Sequence, residues 1–246
     1  MSELPKTLEE AIAQSTQATI AALNNGRTRL QVQLVFPEIA LQAQSIAQQF
    51  LPIFEQLGVQ PKVFFPDAGA AALARRDWGT VPFKIDDVGS PRSIIEDKIQ
   101  PDDQAFLLVG PSAVEVAQVE KLSNMAGDRP FILLNPQMED IYIVGIGYAA
   151  RQLRDRFLST IESCYYIRSL EQSAVFRSYP SLWQVWLEES NGEYKLIAEE
   201  PQRPAGDTLD QILAKATGTD ATGNTAPPKK PGLLTNLQRF LNALSR

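Results

Sequence analysis

The chain has 246 residues, of which 44% are hydrophobic and 21% are charged, and this is enough apolar material for one sizeable globular domain. Its 23 basic and 29 acidic residues leave a net charge of −6, which argues against a nucleic-acid-binding body. The lack of histidine excludes Ser-His-Asp and Cys-His catalysis and the usual zinc sites, and a single cysteine excludes an internal disulfide.

The first two thirds of the chain alternate between helical and strand patterns. A capping box that starts at Thr7 predicts a helix ending at Asn25-Gly26. Apolar positions then alternate with Gln31 and Gln33, which predicts a half-buried strand over residues 29–36. Further helices are predicted over 43–57, 67–76, 112–125 and 148–163, and further strands over 63–65, 104–109, 131–134 and 141–146. Such alternation indicates an α/β fold, a mainly parallel sheet with helices on both faces.

After Cys164 the pattern changes to consecutive strands. The predicted strands cover residues 165–170, 174–179, 182–189 and 193–199. The last two flank Asn191-Gly192, a strong hairpin signal, so we predict an antiparallel C-terminal extension of the sheet. A short helix over 208–216, capped by Asp207, ends the folded body. A single α/β domain is therefore predicted over 1–216, parallel to about residue 163 and antiparallel over 164–200.

The last thirty residues have a different composition. Residues 217–232 are typical of a flexible linker, and residues 233–246 form a detached amphipathic helical pattern. Residues 229–246 carry a charge of +4, which leaves −10 on residues 1–228. The apolar stripe is expected to contact either a membrane surface or a protein partner, because both bury the same side chains. The contact residues are Leu233, Leu234, Leu237, Arg239, Phe240, Leu241 and Leu244.

Gly145 and Gly147 form a G-x-G-x-x-A pattern between a predicted strand and helix, which is the context of a dinucleotide fingerprint. Arg151 and Arg154 lie one turn apart on the same helix, where they can pair with an anion. The alternative is a tight turn followed by a solvated or ion-paired helix face. We favour that alternative because short glycine motifs often occur by chance and Tyr148 would crowd a phosphate.

The remaining candidate groups favour structural roles. The acidic pairs Asp86-Asp87 and Asp102-Asp103 fall in loop-like stretches and lack the spacing of a hard-cation loop, so no metal site or cofactor is predicted. Cys164 follows the apolar face of a predicted helix and is expected to be a small buried hydrophobe. Trp183 and Trp186 are expected on opposite faces of one strand.

Several runs match the pattern of a known family: Arg29-Leu30, Phe36-Pro37, Asn135-Pro136, Asp140, Gly145-Ile146-Gly147, Arg151, Arg154, Phe157 and Tyr179-Pro180-Ser181-Leu182-Trp183. Over about residues 4–201 the chain resembles a domain-of-unknown-function family of cyanobacteria and chloroplasts. Plant members include the low-photosystem-II-accumulation assembly factor, and the family supplies no active-site residues. The resemblance therefore implies a role in the assembly of thylakoid photosynthetic complexes.

Two functional hypotheses follow. The first is a non-enzymatic assembly or interaction factor for photosystem II biogenesis, whose partners are photosynthetic membrane-complex subunits or their assembly machinery. The alternative is a nucleotide- or phosphometabolite-binding enzyme that uses residues 145–154. Residues 1–6 show no signal or transit pattern, so we expect a cytoplasmic protein, with peripheral contact to the cytoplasmic face of the thylakoid through the tail.

Overall fold

The structure of the protein is a computed structural model that describes residues 3–36, 39–90, 93–138 and 148–218. The strands in these ranges are β1 Arg29–Val35, β2 Pro61–Phe65, β3 Lys84–Asp87, β4 Ala105–Val109, β5 Phe131–Leu134, β6 Glu162–Ser169, β7 Ser173–Ser178, β8 Trp183–Glu188 and β9 Tyr194–Glu200. The helices are α1 Leu8–Asn24, α2 Ala43–Gln56, α3 Ala68–Trp78, α4 Val116–Ala126, α5 Tyr148–Arg156 and α6 Asp207–Thr217.

All the described strands form one sheet, in the order β3-β2-β4-β5-β1-β6-β7-β8-β9. Pairing is parallel from β3 to β6 and antiparallel from β6 to β9, which confirms the predicted α/β fold with an antiparallel extension. The change of direction falls at β6, which is parallel to β1 and antiparallel to β7. None of the described helices is long and apolar enough to cross a bilayer.

The core consists of layers on both faces of the sheet. Along β4, Leu107 packs in the cluster that contains α1, α2 and α3, whereas Phe106 and Leu108 pack in the cluster that contains α4 and α5. Because successive strand residues point to opposite faces, these clusters lie on opposite sides of the sheet. The prediction of helices on both faces is therefore confirmed.

A β-bulge interrupts the pairing of β1 with β6. Gln31 pairs with Ser163 and Val32 with Tyr165, so that Cys164 is the extra residue. Cys164 and Tyr165 both pack against the α1 side, whereas Tyr166 packs with Trp183 in a separate cluster. The bulge therefore places Ser163 and Tyr166 on the same face of the sheet, opposite α1.

The predicted helix over 148–163 is too long. Helix α5 ends at Arg156, a 3₁₀ turn covers Leu158–Thr160, and β6 begins at Glu162. The hydroxyls of Ser159 and Thr160 donate to the carbonyl oxygens of Asp155 and Phe157, at 2.9 and 2.7 Å. Such back-bonding competes with helix continuation, and the pairing of β6 with β1 requires extended backbone directly afterwards.

Two further predictions need correction. Asp86-Asp87 do not lie in a loop, because they end the short edge strand β3, which the sequence analysis missed. Asp207 does not cap the last helix from outside: it is the first residue of α6, and Gly206 is the N-cap. The strand predicted over 141–146 and the tail over 233–246 lie outside the described residues.

A network of charges around a buried lysine links β3 to its neighbours, in addition to its backbone pairing with β2. The side chain of Lys62 is 7% exposed, and its Nζ donates to the carbonyl oxygen of Lys98 at 2.6 Å. Its carboxylate neighbours are Asp86 at 3.7 Å and Asp103 at 3.8 Å. A buried charge is tolerated only where it is paired in this way.

Replacing Lys62 with Met should lower the free energy of unfolding by about 2–3 kcal/mol, because Asp103 would keep a buried charge without its closest buried cation. Urea denaturation measures this loss. Lys84 is the matched control: it pairs with the same Asp103 at 3.5 Å, but its side chain is 58% exposed. Lys84→Met should cost about 0.5 kcal/mol or less. Equal losses in the two variants would contradict the importance of burial.

Acid should weaken the same network. Burial is the largest single influence on Asp86 and acts to raise its pKa. Hydrogen bonds from Lys98 and from the backbone of Asp87, together with the positive charges of Lys98 and Lys62, lower that pKa overall. A carboxylate whose pKa is lower in the folded state stabilises the fold above its unfolded pKa of about 3.9, and this stabilisation is lost as the pH falls through the folded pKa. Asp86→Asn should therefore flatten the loss of stability below about pH 5. Urea denaturation at a series of pH values in that range measures the free energy of unfolding. Asp102→Asn, at an exposed position, is the control. Parallel pH curves for Asp86→Asn and the wild type would contradict the prediction.

Candidate functional site

A large cleft lies at the carboxyl edge of the parallel sheet. Parallel strands end at a common edge, and in open α/β sheets ligands bind in the crevice outside these ends. Here a cleft of about 1040 Å³, the carboxyl-edge cleft, is lined by residues at or just after the ends of several strands. They include Phe36 after β1, Phe65 at the end of β2, Gly110 after β4 and Asn135 after β5.

Asn135 fixes the floor of this cleft. Its φ of 48° lies in the left-handed region, which asparagine tolerates better than most residues. Its Oδ1 accepts a hydrogen bond from the backbone N–H of Leu34 at 2.8 Å, and its own N–H donates to Val32 at 2.7 Å. The side chain thus extends the pairing of β1 with β5 beyond the last residue of β5.

The chemistry of the carboxyl-edge cleft is apolar and amide-rich. Among the described residues, its lining carries one charged side chain, Asp77, and no cation. Several glutamines supply amide groups, and Leu41 and Leu73 line the cleft although they are 71% and 45% exposed. This lining can bind an apolar group and hydrogen-bond to amides, but it does not supply cations for a phosphate.

Exposed apolar side chains recur on the segments that follow the parallel strands in the chain. One follows each of the first five strands, and together they are named the apolar edge: Leu41, Leu73, Ile94, Val114 and Tyr148. Their exposed fractions range from 45% to 75%. Clustered exposure of large apolar side chains marks interaction surfaces more often than scattered exposure does.

A second cleft lies on the α5 face of the sheet and differs in character. Its volume is about 720 Å³, and its floor includes Gln33 of β1 and Ser163 of β6. In the described part of the chain, its lining includes three arginines on separate elements: Arg154 on α5, Arg177 on β7 and Arg203 on the segment after β9. We name it the arginine cleft. Asp155 and Glu162 are the acidic residues among its described lining residues.

Aromatic rings position two of these arginines. The guanidinium of Arg203 lies 5.3 Å from the ring centre of Tyr166, and that of Arg177 lies 5.3 Å from Trp183. The two rings contact each other edge to face at 5.2 Å, and Arg177 donates to Glu162 at 2.5 Å. Stacking and ion pairing of this kind hold guanidinium groups in fixed orientations.

The two arginines that follow the glycine motif lie in different surroundings. Arg154 is half-buried and lines the arginine cleft, whereas Arg151 is exposed and lies outside it. Gly145 and Gly147 lie outside the described residues. Arg156, on the same helix, pairs with Glu120 at 2.7 Å.

Sequence reasoning missed most of the arginine cleft. Gln33 was assigned to the polar side of a half-buried strand, yet it is only 4% exposed, and Ser163 is 7% exposed. Arg177 and Arg203 lie on segments that come to β1 only through long-range pairing of strands. The available signal was the polar side of β1, which lies at the centre of the sheet, where apolar residues are usual.

Cys164 has no exposed surface, as predicted, although it lies in β6 and not after a helix. Its Sγ donates to the carbonyl oxygen of Gln31 at 3.3 Å and lies 3.5 Å from the hydroxyl of Thr19. Burial raises the pKa of the thiol to about 12. Since the thiolate is the reactive form, this thiol is inert in the folded protein.

The protein is thus an α/β protein with a mixed sheet, an apolar cleft and a second cleft lined by arginines. Residues 5–211 match the model of the family described as a domain of unknown function, DUF1995. The chain belongs to this family. The matched region begins just before α1 and ends within α6, so it contains both clefts.

Alkylation should test the isolation of Cys164. At pH 8 the native protein should react with iodoacetamide at least about 1000-fold more slowly than the guanidinium-unfolded chain, because burial suppresses the thiolate and blocks access. Mass spectrometry of quenched samples gives both rates. Comparable rates under native and unfolding conditions would show that Cys164 is accessible.

Proposed function

We propose that the protein is a non-enzymatic assembly factor for photosynthetic membrane complexes at the thylakoid, acting in photosystem II biogenesis. In this proposal the carboxyl-edge cleft and the apolar edge hold an apolar polypeptide segment of a membrane-complex subunit. The observation that carries the proposal is the exposure of Leu41 and Leu73, two residues of the apolar edge, in the lining of a cleft of about 1040 Å³. The sequence resemblance to an assembly factor supports the choice of client.

The lining of the cleft suits a polypeptide better than a reacting substrate. Gln44, Gln48 and Gln137 can donate to and accept from the backbone of an added peptide, while Leu41 and Leu73 contact its apolar side chains. Asp77 is the one charged lining residue in the described part of the chain. Acid–base or covalent catalysis depends on paired groups with opposed roles, which a lone carboxylate does not provide.

Charge supports a membrane-protein client. Residues 1–228 carry a net charge of −10. Apolar segments of membrane proteins are flanked on the cytoplasmic side by lysine and arginine. An acidic body with an apolar docking edge therefore complements both parts of such a segment. The cationic amphipathic tail, residues 229–246, has the same chemistry and is the competing occupant.

Site-specific photo-crosslinking tests the proposal. In the whole chain, Leu41 is replaced by benzoylphenylalanine. The protein is mixed with solubilised membranes of photosynthetic cells and irradiated, and mass spectrometry identifies the crosslinked peptides. The matched control is Leu182, which is 48% exposed but lies in the β7–β8 connection, at the opposite edge of the sheet.

We expect crosslinks from Leu41, and not from Leu182, to apolar segments of photosystem subunits or their insertion machinery. Leu41→Gln with Leu73→Gln should weaken co-purification of the same client about tenfold or more, which corresponds to the loss of two apolar contacts. Crosslinks from Leu41 to residues 233–246 of the same chain would overturn the proposal and assign the edge to the tail. Crosslinks to unrelated soluble proteins would also overturn it.

A further inference from the structure

The floor of the arginine cleft contains buried polar groups whose hydrogen bonds are incomplete. Ser163 is 7% exposed, and its hydroxyl has no hydrogen-bond partner among the described residues. The same holds for the Nε atom of Arg177, which donates to Glu162 through another nitrogen. Both residues line the cleft. Because buried polar groups are nearly always paired, groups of this kind at a cleft floor indicate the position of a bound polar molecule.

The charge of the lining points to an anion. Among the described lining residues, Arg154 on α5, Arg177 on β7 and Arg203 after β9 outnumber the two carboxylates of Asp155 and Glu162. A cationic cleft is unexpected in a chain whose net charge is −6. A single arginine fork matches a planar carboxylate, whereas guanidinium groups on three separate elements can surround the tetrahedral oxygens of a phosphate.

We infer that the arginine cleft binds a small organic phosphate, whose phosphate group contacts Arg154, Arg177 and Arg203 and accepts a hydrogen bond from the hydroxyl of Ser163. The volume of about 720 Å³ exceeds that of a phosphate ion and leaves room for an organic body beside Trp183. The site is distinct from the carboxyl-edge cleft, although Gln33 and Pro136 line both. This inference concerns binding and does not depend on the proposed protein client.

Calorimetric titration of the full-length protein tests the inference, with inorganic phosphate and glycerol 3-phosphate as soluble probes. Glycerol 3-phosphate should bind with a Kd of about 1 mM or tighter, and more tightly than inorganic phosphate. Arg154→Gln and Arg203→Gln should each weaken it about tenfold or more, because each removes a charge-assisted hydrogen bond. Since these residues lie on separate elements, failure of one variant to fold leaves the other decisive.

Arg151→Gln is the matched control. It makes the same change of charge one helical turn from Arg154, outside the cleft. It should change the Kd by less than about twofold, since only a contact with the ligand is worth tenfold. Ser163→Ala should weaken binding while leaving the thermal midpoint of the free protein unchanged or higher. A purely structural hydroxyl would instead lower that midpoint when removed.

Vesicles that contain phosphatidic acid present the same phosphate monoester on a lipid, so they distinguish a lipid headgroup from a soluble metabolite. Binding to these vesicles that is lost in Arg203→Gln, without binding of the soluble probes, would support a phosphate site and assign its source to lipid. Absence of binding to every probe up to about 20 mM would overturn the inference. Equal weakening by Arg151→Gln and Arg154→Gln would also overturn it, because it would indicate diffuse attraction only.

Discussion

The parallel pairing of β1 with β6 is the contact on which the rest of the structure depends. It joins the parallel half of the sheet to the antiparallel half, across more than a hundred residues of intervening chain. The bulge at Cys164 sets the register of that joint. Because the extra residue reverses the alternation of β6, Tyr165 enters the core against α1. Ser163 lines the arginine cleft on the other face, where Tyr166 packs with Trp183.

The architecture could be predicted from sequence because local patterns and global fold agree over most of the chain. The capping side chain of Thr7, the apolar runs of β4 and β5 and the Asn191-Gly192 hairpin each specify their element without help from distant residues. Strand β3 could not be predicted, because it has four residues and one buried apolar side chain, Ile85. The length of α5 was wrong for a related reason: long-range strand pairing, not helical periodicity, decides where it ends.

The candidate sites were less accessible to sequence reasoning than the fold. Arg154 was found because it belongs to a local motif, and it lines the arginine cleft. Ser163, Arg177 and Arg203 were missed because they meet only after β1, β6 and β7 have paired and the chain beyond β9 has returned over the sheet. Gln33 of the central strand β1 lines both clefts. The apolar cleft and the arginine cleft are therefore neighbours that meet at this strand.

The two end strands of the sheet carry charges that oppose aggregation through strand pairing. Strands β3 and β9 form its two ends, and a strand at such a position offers its backbone hydrogen-bonding groups to other chains. Lys84 and Asp86 on β3, and Lys195 and Glu199 on β9, place charges along these ends. Addition of a further strand would desolvate these charges or bring like charges together, so growth of the sheet into fibrils is opposed. The protein exposes apolar side chains after its parallel strands, but the charges on β3 and β9 oppose polymerisation through the two lateral ends of the sheet.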